Sequence, residues 1–435
     1  MVQIKERQAP WGEQNWKGRF FTIWTGQALS LFGSNLVQFA LVWWLTQETG
    51  SPTVLALASL AALLPQVFLG PFAGALVDRW NRRVVMIVAD SLIALLTLGL
   101  AFLFATGRAQ VWHIYLIMFL RSALGSFHWT SMQASTSLMV PGRQLARVAG
   151  LNQALFGAMG IIAPPAGALL LSVLPMQGIL AIDVVTALLA VIPLFFIGIP
   201  QPERKVVAGP SGGSRPSLLQ DMGEGLRYLR DRPGMLTLLA MAMLVNFLLT
   251  PAFSLLPILV THYFGGEALQ LAGLNSGWGF GVVAGGLVLG VWGGFHRKVV
   301  TSMSGLTGMG LGILLIGAAP AHLIGLAVAG MLLAGFMNPI TNGPLHAILQ
   351  SVVAPDMQGR VLALVGSGSA AMSPLSLIVA GPLAEITGVR VWYWLAGVAC
   401  VLMAGLALSI PAILNIENEQ PVAPAAQSAG SEPGA

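Results

Sequence analysis

Long apolar stretches follow one another along almost the whole chain, and only short polar connections separate them. A helix that crosses a bilayer needs about 20 mainly apolar residues, and twelve of the stretches reach that length. We therefore predict an all-α membrane protein with twelve transmembrane helices. The predicted spans are residues 20–46, 53–77, 84–106, 110–134, 149–173, 177–199, 235–261, 270–294, 299–319, 322–349, 361–387 and 392–414.

The longest polar interval divides the spans into six and six. It contains the flexible sequence GPSGGSRP, followed by residues 217–232, whose leucines recur at helical spacing and predict a short amphipathic helix at the membrane surface. The predicted organisation is a cytoplasmic N-terminal segment (1–19), a first six-helix bundle (20–199), a cytoplasmic linker (200–234), a second six-helix bundle (235–414) and a disordered cytoplasmic tail (415–435).

The two predicted bundles resemble each other at an offset of about 213–215 residues. MVPGRQLARVAGL (139–151) matches VVAPDMQGRVLAL (352–364) loosely, and WNRRVV (80–85) matches FHRKVV (295–300). Chance similarity between short apolar segments is the alternative explanation. Because both pairs fall in equivalent loops at nearly one offset, we favour two six-helix pseudo-repeats, a build in which the substrate site lies between the halves.

Composition and charge agree with a membrane protein. Hydrophobic residues make up 56% of the chain and charged residues 9%, whereas soluble domains carry roughly 25% charged residues. Of the 21 Lys and Arg residues, all but Arg108, Arg121 and Arg390 lie on the side of the N-terminus, which predicts that both termini are cytoplasmic. The net charge of +5 thus follows from topology, and we expect no nucleic-acid partner.

The ends of the chain and its single cysteine add two expectations. The first span is too long for a signal-peptide core, so we expect no cleaved leader. Cys400 has no possible intramolecular disulfide partner. Glu385 falls close to the outer end of the eleventh span and is expected to lie at the membrane interface.

One very short connection, GALVDRWNRR (74–83), carries one acid and three arginines between the second and third spans. It is similar to the hinge signature Gly-x-x-x-Asp-Arg-x-Gly-Arg-Arg of the major facilitator superfamily. The matching residues are Gly74, Asp78, Arg79, Arg82 and Arg83. Asn81 replaces the usual Gly, and we expect it to adopt a left-handed turn, which Asn tolerates.

Further motifs resemble the macrolide-exporter branch of the drug:proton antiporters in that superfamily. The fourth span has Arg121 and Gly125 of the pattern Arg-x-x-Gln-Gly, with Leu124 in place of Gln. The fifth span keeps Pro164 and Gly167 of the signature Gly-Pro-x-x-Gly-Gly. Longer segments that carry the likeness are 26–52, 140–155 and 354–364. The resemblance implies transport by rocking of the two halves, with Asp78 accepting hydrogen bonds from the start of the eleventh span.

Ionisable residues inside a membrane span are expensive and are functional candidates. We predict Asp90, Asp183 and Arg121 as the proton-coupling group. Each has a structural alternative: Asp90 could instead pair with hinge arginines such as Arg82 or Arg83, Asp183 could anchor a helix terminus, and Arg121 could form a structural ion pair.

Polar residues also recur on one face of spans one, four, seven and ten, the spans that line the central cavity in the family. From these stripes we predict the substrate-cavity residues Gln27, Ser34, Gln38, Arg121, His128, Asn246, Thr250, Asn338, Asn342 and His346. Aromatic residues such as Trp24 and Trp129 are candidates for an apolar wall of this cavity. Helix–helix hydrogen bonding is the alternative for any single stripe.

These features predict a secondary active transporter that exports an amphipathic small molecule, such as a drug or macrolide-like compound, against inward proton flow. A small-metabolite or siderophore transporter and a lipid flippase on the same fold are the alternatives. The sequence has no G-x-x-x-x-G-K-[ST] motif for ATP and no H-E-x-x-H metal motif. We expect no enzymatic activity, no cofactor and no metal, and we expect a monomer in a bacterial-type inner membrane.

Overall fold

The computed structural model describes residues 16–77, 79–201, 223, 226–230, 232–354 and 357–418. Within them the chain forms twelve long helices and no strand, so the all-α prediction is confirmed. The bounds are α1 Trp16–Thr49, α2 Pro52–Val77, α3 Arg82–Ala105, α4 Val111–Met139, α5 Leu145–Val173, α6 Met176–Phe196, α7 Pro233–Ser254, α8 Ala268–Trp292, α9 Lys298–Ala318, α10 Ile324–Val352, α11 Gln358–Thr387 and α12 Arg390–Ser409.

Eleven of the helices in the described chain are long and apolar enough to cross a membrane. The helix outside this set is α4, which has 29 residues but carries Arg121 and several Ser and Thr side chains. Its polarity has a structural reason, because α4 supplies much of the wall of an internal cavity described below. A twelfth span is therefore consistent with the fold, although the composition of α4 alone does not identify it.

Prolines interrupt one of the predicted spans and shorten another. The predicted seventh span is interrupted after Ser254 and continues as a short turn, Leu256–Ile258, and a π-helical turn, Leu259–Tyr263. The predicted twelfth span ends at Ser409, just before Pro411, and a separate turn follows. Proline lacks the backbone N–H that would continue the helical ladder, and it disfavours helical geometry in the residue before it.

The packing of the helices repeats between the halves. In the first half α1 packs on α5 and α6, α4 packs on α2 and α3, and α3 packs on α6. In the second half α7 packs on α11 and α12, α10 packs on α8 and α9, and α9 packs on α12. Each pair in the first list has its counterpart six helices later. The two principal contacts between the halves are α2 with α11 and α5 with α8. Replacing each helix by its counterpart in the other half turns one of these contacts into the other, as expected for two repeats related by a two-fold pseudo-symmetry axis.

The halves meet toward one end of the bundle. We call the end where α1 begins and α6 ends the linker end, and the opposite one the far end. At the far end Ser51 donates to Oε1 of Glu385 across 2.5 Å, and a Cβ on Gly381 would lie 2.9 Å from the Cα of Thr53. Nearer the middle, Ser276 donates to the carbonyl of Ile161 at 2.8 Å.

Toward the linker end, four glycines of the same helices have no close neighbour. Gly70 and Gly74 of α2 and Gly359 and Gly366 of α11 have no described atom outside their own helix within 4 Å of a built Cβ. The contacts between the halves named above thus lie at the far end and near the middle of the bundle.

Glycines allow the closest helix approaches. A Cβ on Gly285 of α8 would clash with the carbonyl of Phe336 in α10, whereas the adjacent Gly286 faces open space. In α5, a Cβ on Gly167 would lie 2.9 Å from the ring of Phe39 in α1. The small residues retained in the fifth span thus permit close packing there, as small residues do at helix interfaces in membranes.

The charged connection between α2 and α3 is an anchor within the first half. Arg82 donates to the carbonyl of Ala134 at 3.0 Å. Arg83 donates to the carbonyls of Leu194 and Phe195, the latter at 2.6 Å. The two arginines thus bind carbonyls near the C-terminal ends of α4 and α6, where the helix dipole favours a cation.

Asn81 lies at the start of α3, with an extended backbone conformation and a side-chain cap. Asn81 has φ −73° and ψ 109°, so the predicted left-handed turn is wrong. Instead its side chain accepts from the N–H groups of Arg83 and Val84 and caps the N-terminus of α3. Asp78 lies outside the described residues, and its latch to α11 stays a prediction. The same holds for most of residues 217–232, of which 226–230 are described as helical.

Candidate functional site

A cavity of about 730 Å³ lies inside the first half and is lined by α1 to α5. Its polar lining comes mainly from side chains at the middle of these helices. They include Gln27, Ser34, Gln38, Asp90, Arg121 and His128. Trp24, Trp129 and Phe156 contribute aromatic surface, and the rings of the last two meet edge to face at 5.0 Å. The wall is therefore amphipathic.

A first polar group, the Arg121 layer, comprises Ser34, Thr97, Arg121 and Asp183 from α1, α3, α4 and α6. Arg121 forms an ion pair with Oδ2 of Asp183 at 2.6 Å, and Asp183 is 1% exposed. Ser34 and Thr97 each donate to this carboxylate at 3.1 Å. Arg121 also contacts Thr97 and donates to Ser34 at 3.2 Å. The buried carboxylate is thus paired and hydrogen-bonded on both oxygens, the condition under which burial of a charge is tolerated.

A second polar group, the Asp90 layer, comprises Gln27, Asp90 and His128 from α1, α3 and α4. Gln27 donates to Oδ2 of Asp90 at 3.1 Å. Nε2 of His128 lies 3.3 Å from Oδ1, within ion-pair distance, but the two groups are not aligned as a hydrogen bond. Asp90 is only 4% exposed.

The two layers follow one spacing on three helices. Gln27 and Ser34, Asp90 and Thr97, and Arg121 and His128 are each seven residues apart. Seven residues are two helical turns, or about 10.5 Å. Since α1 and α3 run toward the far end and α4 runs back, the Arg121 layer lies nearer the far end and the Asp90 layer nearer the linker end.

Glycines of α1 let α6 approach the layers. A Cβ on Gly33 would clash with the hydroxyl of Thr186 and would lie 3.2 Å from Oδ1 of Asp183. One heptad earlier, a Cβ on Gly26 would lie 3.0 Å from the carbonyl of Leu189. In each layer the polar residue of α1 therefore directly follows a glycine against which α6 packs. In the Asp90 layer, the α6 residue that corresponds to Asp183 is Ala190, which is buried.

The structure brings together only part of the predicted site. Five of the ten predicted cavity residues, Gln27, Ser34, Gln38, Arg121 and His128, line this cavity. The five predicted residues of the second half are not in its lining: Asn246, Thr250, Asn338, Asn342 and His346. Thr250 pairs with Ser373 of α11 at 2.9 Å, and Asn342 and His346 are exposed.

The predicted ionisable residues have partners that the sequence left open. Asp90 contacts His128, so its expected pairing with hinge arginines is wrong; Arg82 is eight residues, or about 12 Å, away along α3. Asp183 lies two turns inside α6, so it does not anchor a helix terminus. Arg121 is in the ion pair that was its structural alternative.

Several polar residues of the lining or of the hydrogen-bond network were not predicted, among them Thr97, Gln66 and Asn152. Thr97 had a usable signal, because it lies seven residues after Asp90 on the same helix face. Asn152 accepts from the indole of Trp24 at 2.8 Å, which links α5 to α1. Within the described residues, no group of three or more His, Cys, Asp or Glu side chains could hold a metal ion.

Comparison with known proteins also identifies a transporter family. The family model for the Major Facilitator Superfamily matches residues 23–274. The chain is 33% identical to macrolide efflux protein A of Streptococcus pyogenes over 390 residues, which are 90% of this chain and 95% of that protein. It is 26% identical to the multidrug efflux pump Tap of Mycobacterium tuberculosis over 418 residues, 92% of this chain and 95% of that one.

Solved structures share the fold at low sequence identity. A D-xylose–proton symporter has a TM-score of 0.63 and 15% identity, with 92% of this chain and 98% of that one covered. A bacterial homolog of the human lysosomal transporter Spinster has a TM-score of 0.63 and 14% identity, with 94% and 98% covered.

Two six-helix halves with eleven apolar candidate spans, and a polar cavity inside the first half, fit a multi-pass membrane transporter. The chain belongs to the Major Facilitator Superfamily.

Proposed function

We propose that this transporter exports an amphipathic small molecule, such as a macrolide-like drug, by proton-coupled alternating access. The observation that carries the proposal is the amphipathic cavity of the first half. Its volume of about 730 Å³ is within the 300–1,000 Å³ typical of small-molecule sites. Aromatic rings offer contacts to an apolar cargo, and the two polar layers offer charge and hydrogen bonds.

The ion pair of Arg121 with Asp183 favours an amphipathic substrate over a small organic anion. A free arginine in the cavity would suit a carboxylate substrate, but here Asp183 already neutralises it at 2.6 Å. The similarity to efflux proteins along 90% of the chain supports outward transport.

Proton coupling is assigned to Asp90, Asp183 and Arg121, the ionisable residues of the two layers. Acids inside a membrane bundle that alternate in exposure are the usual carriers of protons in pumps and transporters. In the proposed cycle the cavity exchanges a proton bound from outside for a substrate bound from inside.

Alternating access would use the two contacts between the halves as pivots. In the described state the halves touch at the far end through Ser51 and Glu385. In the opposite state the linker end closes, and Asp78 latches α2 to α11. The other hinge residues, Gly74, Arg79, Arg82 and Arg83, shape the connection, which Arg82 and Arg83 anchor within the first half. The exposed residues Asn342 and His346 of α10, together with Asn246, Thr250 and Asn338, would then face the substrate from the second half.

The proposed orientation has the linker end in the cytoplasm. Arg82 and Arg83 lie at that end, whereas Arg108 and Arg390 lie at the far end, and positive residues concentrate on the cytoplasmic side. We propose a monomer in a bacterial inner membrane, with protons, the small-molecule substrate and lipid as its partners.

The test is drug accumulation in a bacterial host that lacks its own major pumps. Cells that express the protein should accumulate less erythromycin or ethidium than control cells, and a protonophore should abolish the difference. Unchanged accumulation of both probes on expression would refute the exporter proposal. Increased uptake of a small metabolite or an iron-siderophore complex, or movement of a labelled lipid between leaflets, would instead support the corresponding alternative.

A further inference from the structure

The two polar layers differ in the kind of cation that faces the acid. In the Arg121 layer the cation is a guanidinium, which stays protonated in proteins at any physiological pH. In the Asp90 layer the cation is an imidazole, whose unperturbed pKa of about 6.5 allows it to gain and lose a proton under physiological conditions. His128 is the only imidazole that lines the cavity in the described chain.

The charge of each layer can be followed from its members. The Arg121 layer is neutral as it stands, because Arg121 and Asp183 carry opposite charges at 2.6 Å. Protonation of Asp183 would leave a buried guanidinium without its counter-ion, which is costly. This layer is therefore suited to a constant charge.

The Asp90 layer is neutral only when Asp90 and His128 share one proton. With that proton on either residue the net charge is zero, and without it Asp90 leaves a net charge of −1 in a site where the residue is 4% exposed. Gln27 donates a hydrogen bond but brings no charge. The ionisable side chains that line the cavity are Asp90, Arg121 and His128, with Asp183 behind Arg121. Among them Arg121 lies about 10.5 Å along α4 from His128.

We propose that the pair Asp90–His128 carries the coupling proton, whereas the pair Arg121–Asp183 keeps a constant charge through the cycle. This assignment rests on the proposed function and narrows its proton-coupling group. When the cavity faces outward, the pair binds one proton and becomes neutral. When the cavity faces the linker end, the pair releases that proton to the cytoplasm. The cavity then has one negative charge, which favours a substrate that carries a cationic amine or strong hydrogen-bond donors.

The first experiment measures proton release when erythromycin binds to the purified protein in weakly buffered detergent solution. The wild type should release about one proton per molecule bound at a pH between about 5 and 8 at which the pair is protonated. His128→Gln keeps a polar side chain that does not titrate and should release none. Arg121→Lys keeps the positive charge and should still release about one proton, even if binding weakens. His322→Gln changes an exposed imidazole near the far end and should match the wild type.

The second experiment uses proteoliposomes and separates coupling from folding. His128→Gln and Asp90→Asn should lose pH-gradient-driven accumulation of erythromycin by at least about tenfold more than they lose exchange of erythromycin without a gradient, which falls only as far as substrate binding weakens. Retained exchange shows that the variant is folded and binds substrate. If Asp90→Asn does not fold, His128→Gln decides the question alone.

The outcomes distinguish the two levels of the proposal. Release of a full proton by His128→Gln, or loss of release in Arg121→Lys with binding intact, would overturn the assignment of the proton to Asp90–His128. Failure of the wild type to bind or exchange either erythromycin or ethidium would instead overturn the proposed function.

Discussion

Replacing Arg121 by Gln removes the positive charge that contacts Asp183 in the described structure. The carboxylate is 1% exposed and accepts from Arg121, Ser34 and Thr97. Breaking one side of a buried pair costs about 3–5 kcal/mol, because the remaining charge stays in a medium that does not solvate it. For a bundle of this size such a loss lowers the melting temperature on the order of 10 °C.

A double-mutant cycle tests the origin of that loss. Asp183→Asn alone should destabilise the protein by a similar amount, because it leaves the guanidinium unpaired. The combination of Arg121→Gln with Asp183→Asn should be more stable than either single variant, since two amides can hydrogen-bond to each other without a buried charge. Arg108→Gln removes an exposed charge at the far end and should change stability by less than about 0.5 kcal/mol.

Two intrinsic probes report the unfolding. Trp24 and Trp129 line the cavity, and tryptophan fluorescence follows unfolding of the whole chain because tryptophans lie in both halves. Cys400 is fully buried in α12 and becomes reactive toward a thiol dye when the second half opens. If the double variant melts at the temperature expected from adding the two single effects, the ion pair does not stabilise the bundle and the reasoning fails.

Further predictions concern packing, the α3 cap and the contact at the far end. Gly285→Ala should destabilise the protein by about 1–3 kcal/mol, because the new Cβ clashes with the backbone of α10. The control Gly286→Ala should be neutral or stabilising by about 0.5–1 kcal/mol. Equal melting temperatures of the two variants would contradict this prediction. Asn81→Ala should cost about 1 kcal/mol by loss of the cap, but Asn81→Gly only a few tenths, and a larger loss with Gly in thermal melts would argue against capping. Glu385→Gln should weaken the contact with Ser51 and increase the reaction of a cysteine engineered nearby with an impermeant thiol reagent; unchanged labelling would mean that this contact does not hold the far end closed.

Helix positions and the transporter family could be predicted from the sequence because they depend on local signals. Apolar length placed most span ends to within a few residues. Larger errors occurred near Pro257 and Pro411, where proline interrupted a helix inside an apolar stretch, and in the fourth span, because α4 continues through polar residues to Met139. The hinge motif indicated the superfamily before any contact was known. The polar stripe of α4 was visible in the sequence, but the residues that it contacts on the neighbouring helices were not.

The partners within the site were less predictable, because pairing is a tertiary property. A helical wheel puts Asp90 inside a span but does not say whether Arg83 or His128 lies beside it; the structure has Arg83 bound to carbonyls of α6 and His128 beside Asp90. Glu385 had the sequence context of an interfacial acid. Its hydrogen bond to Ser51, 334 residues away, joins the two halves and carries no local signature.

The one-ended contact between the halves also makes the molecule a lever. α2 has 26 residues and is therefore about 39 Å long. If the first half turns as a rigid body about its far-end contact with α11, each degree of rotation moves the linker end by roughly 0.7 Å over that length. A rotation of about ten degrees would shift that end by roughly 7 Å, more than one helical turn. Small changes of charge near the middle of the bundle can in this way be converted into a wide change of the opening.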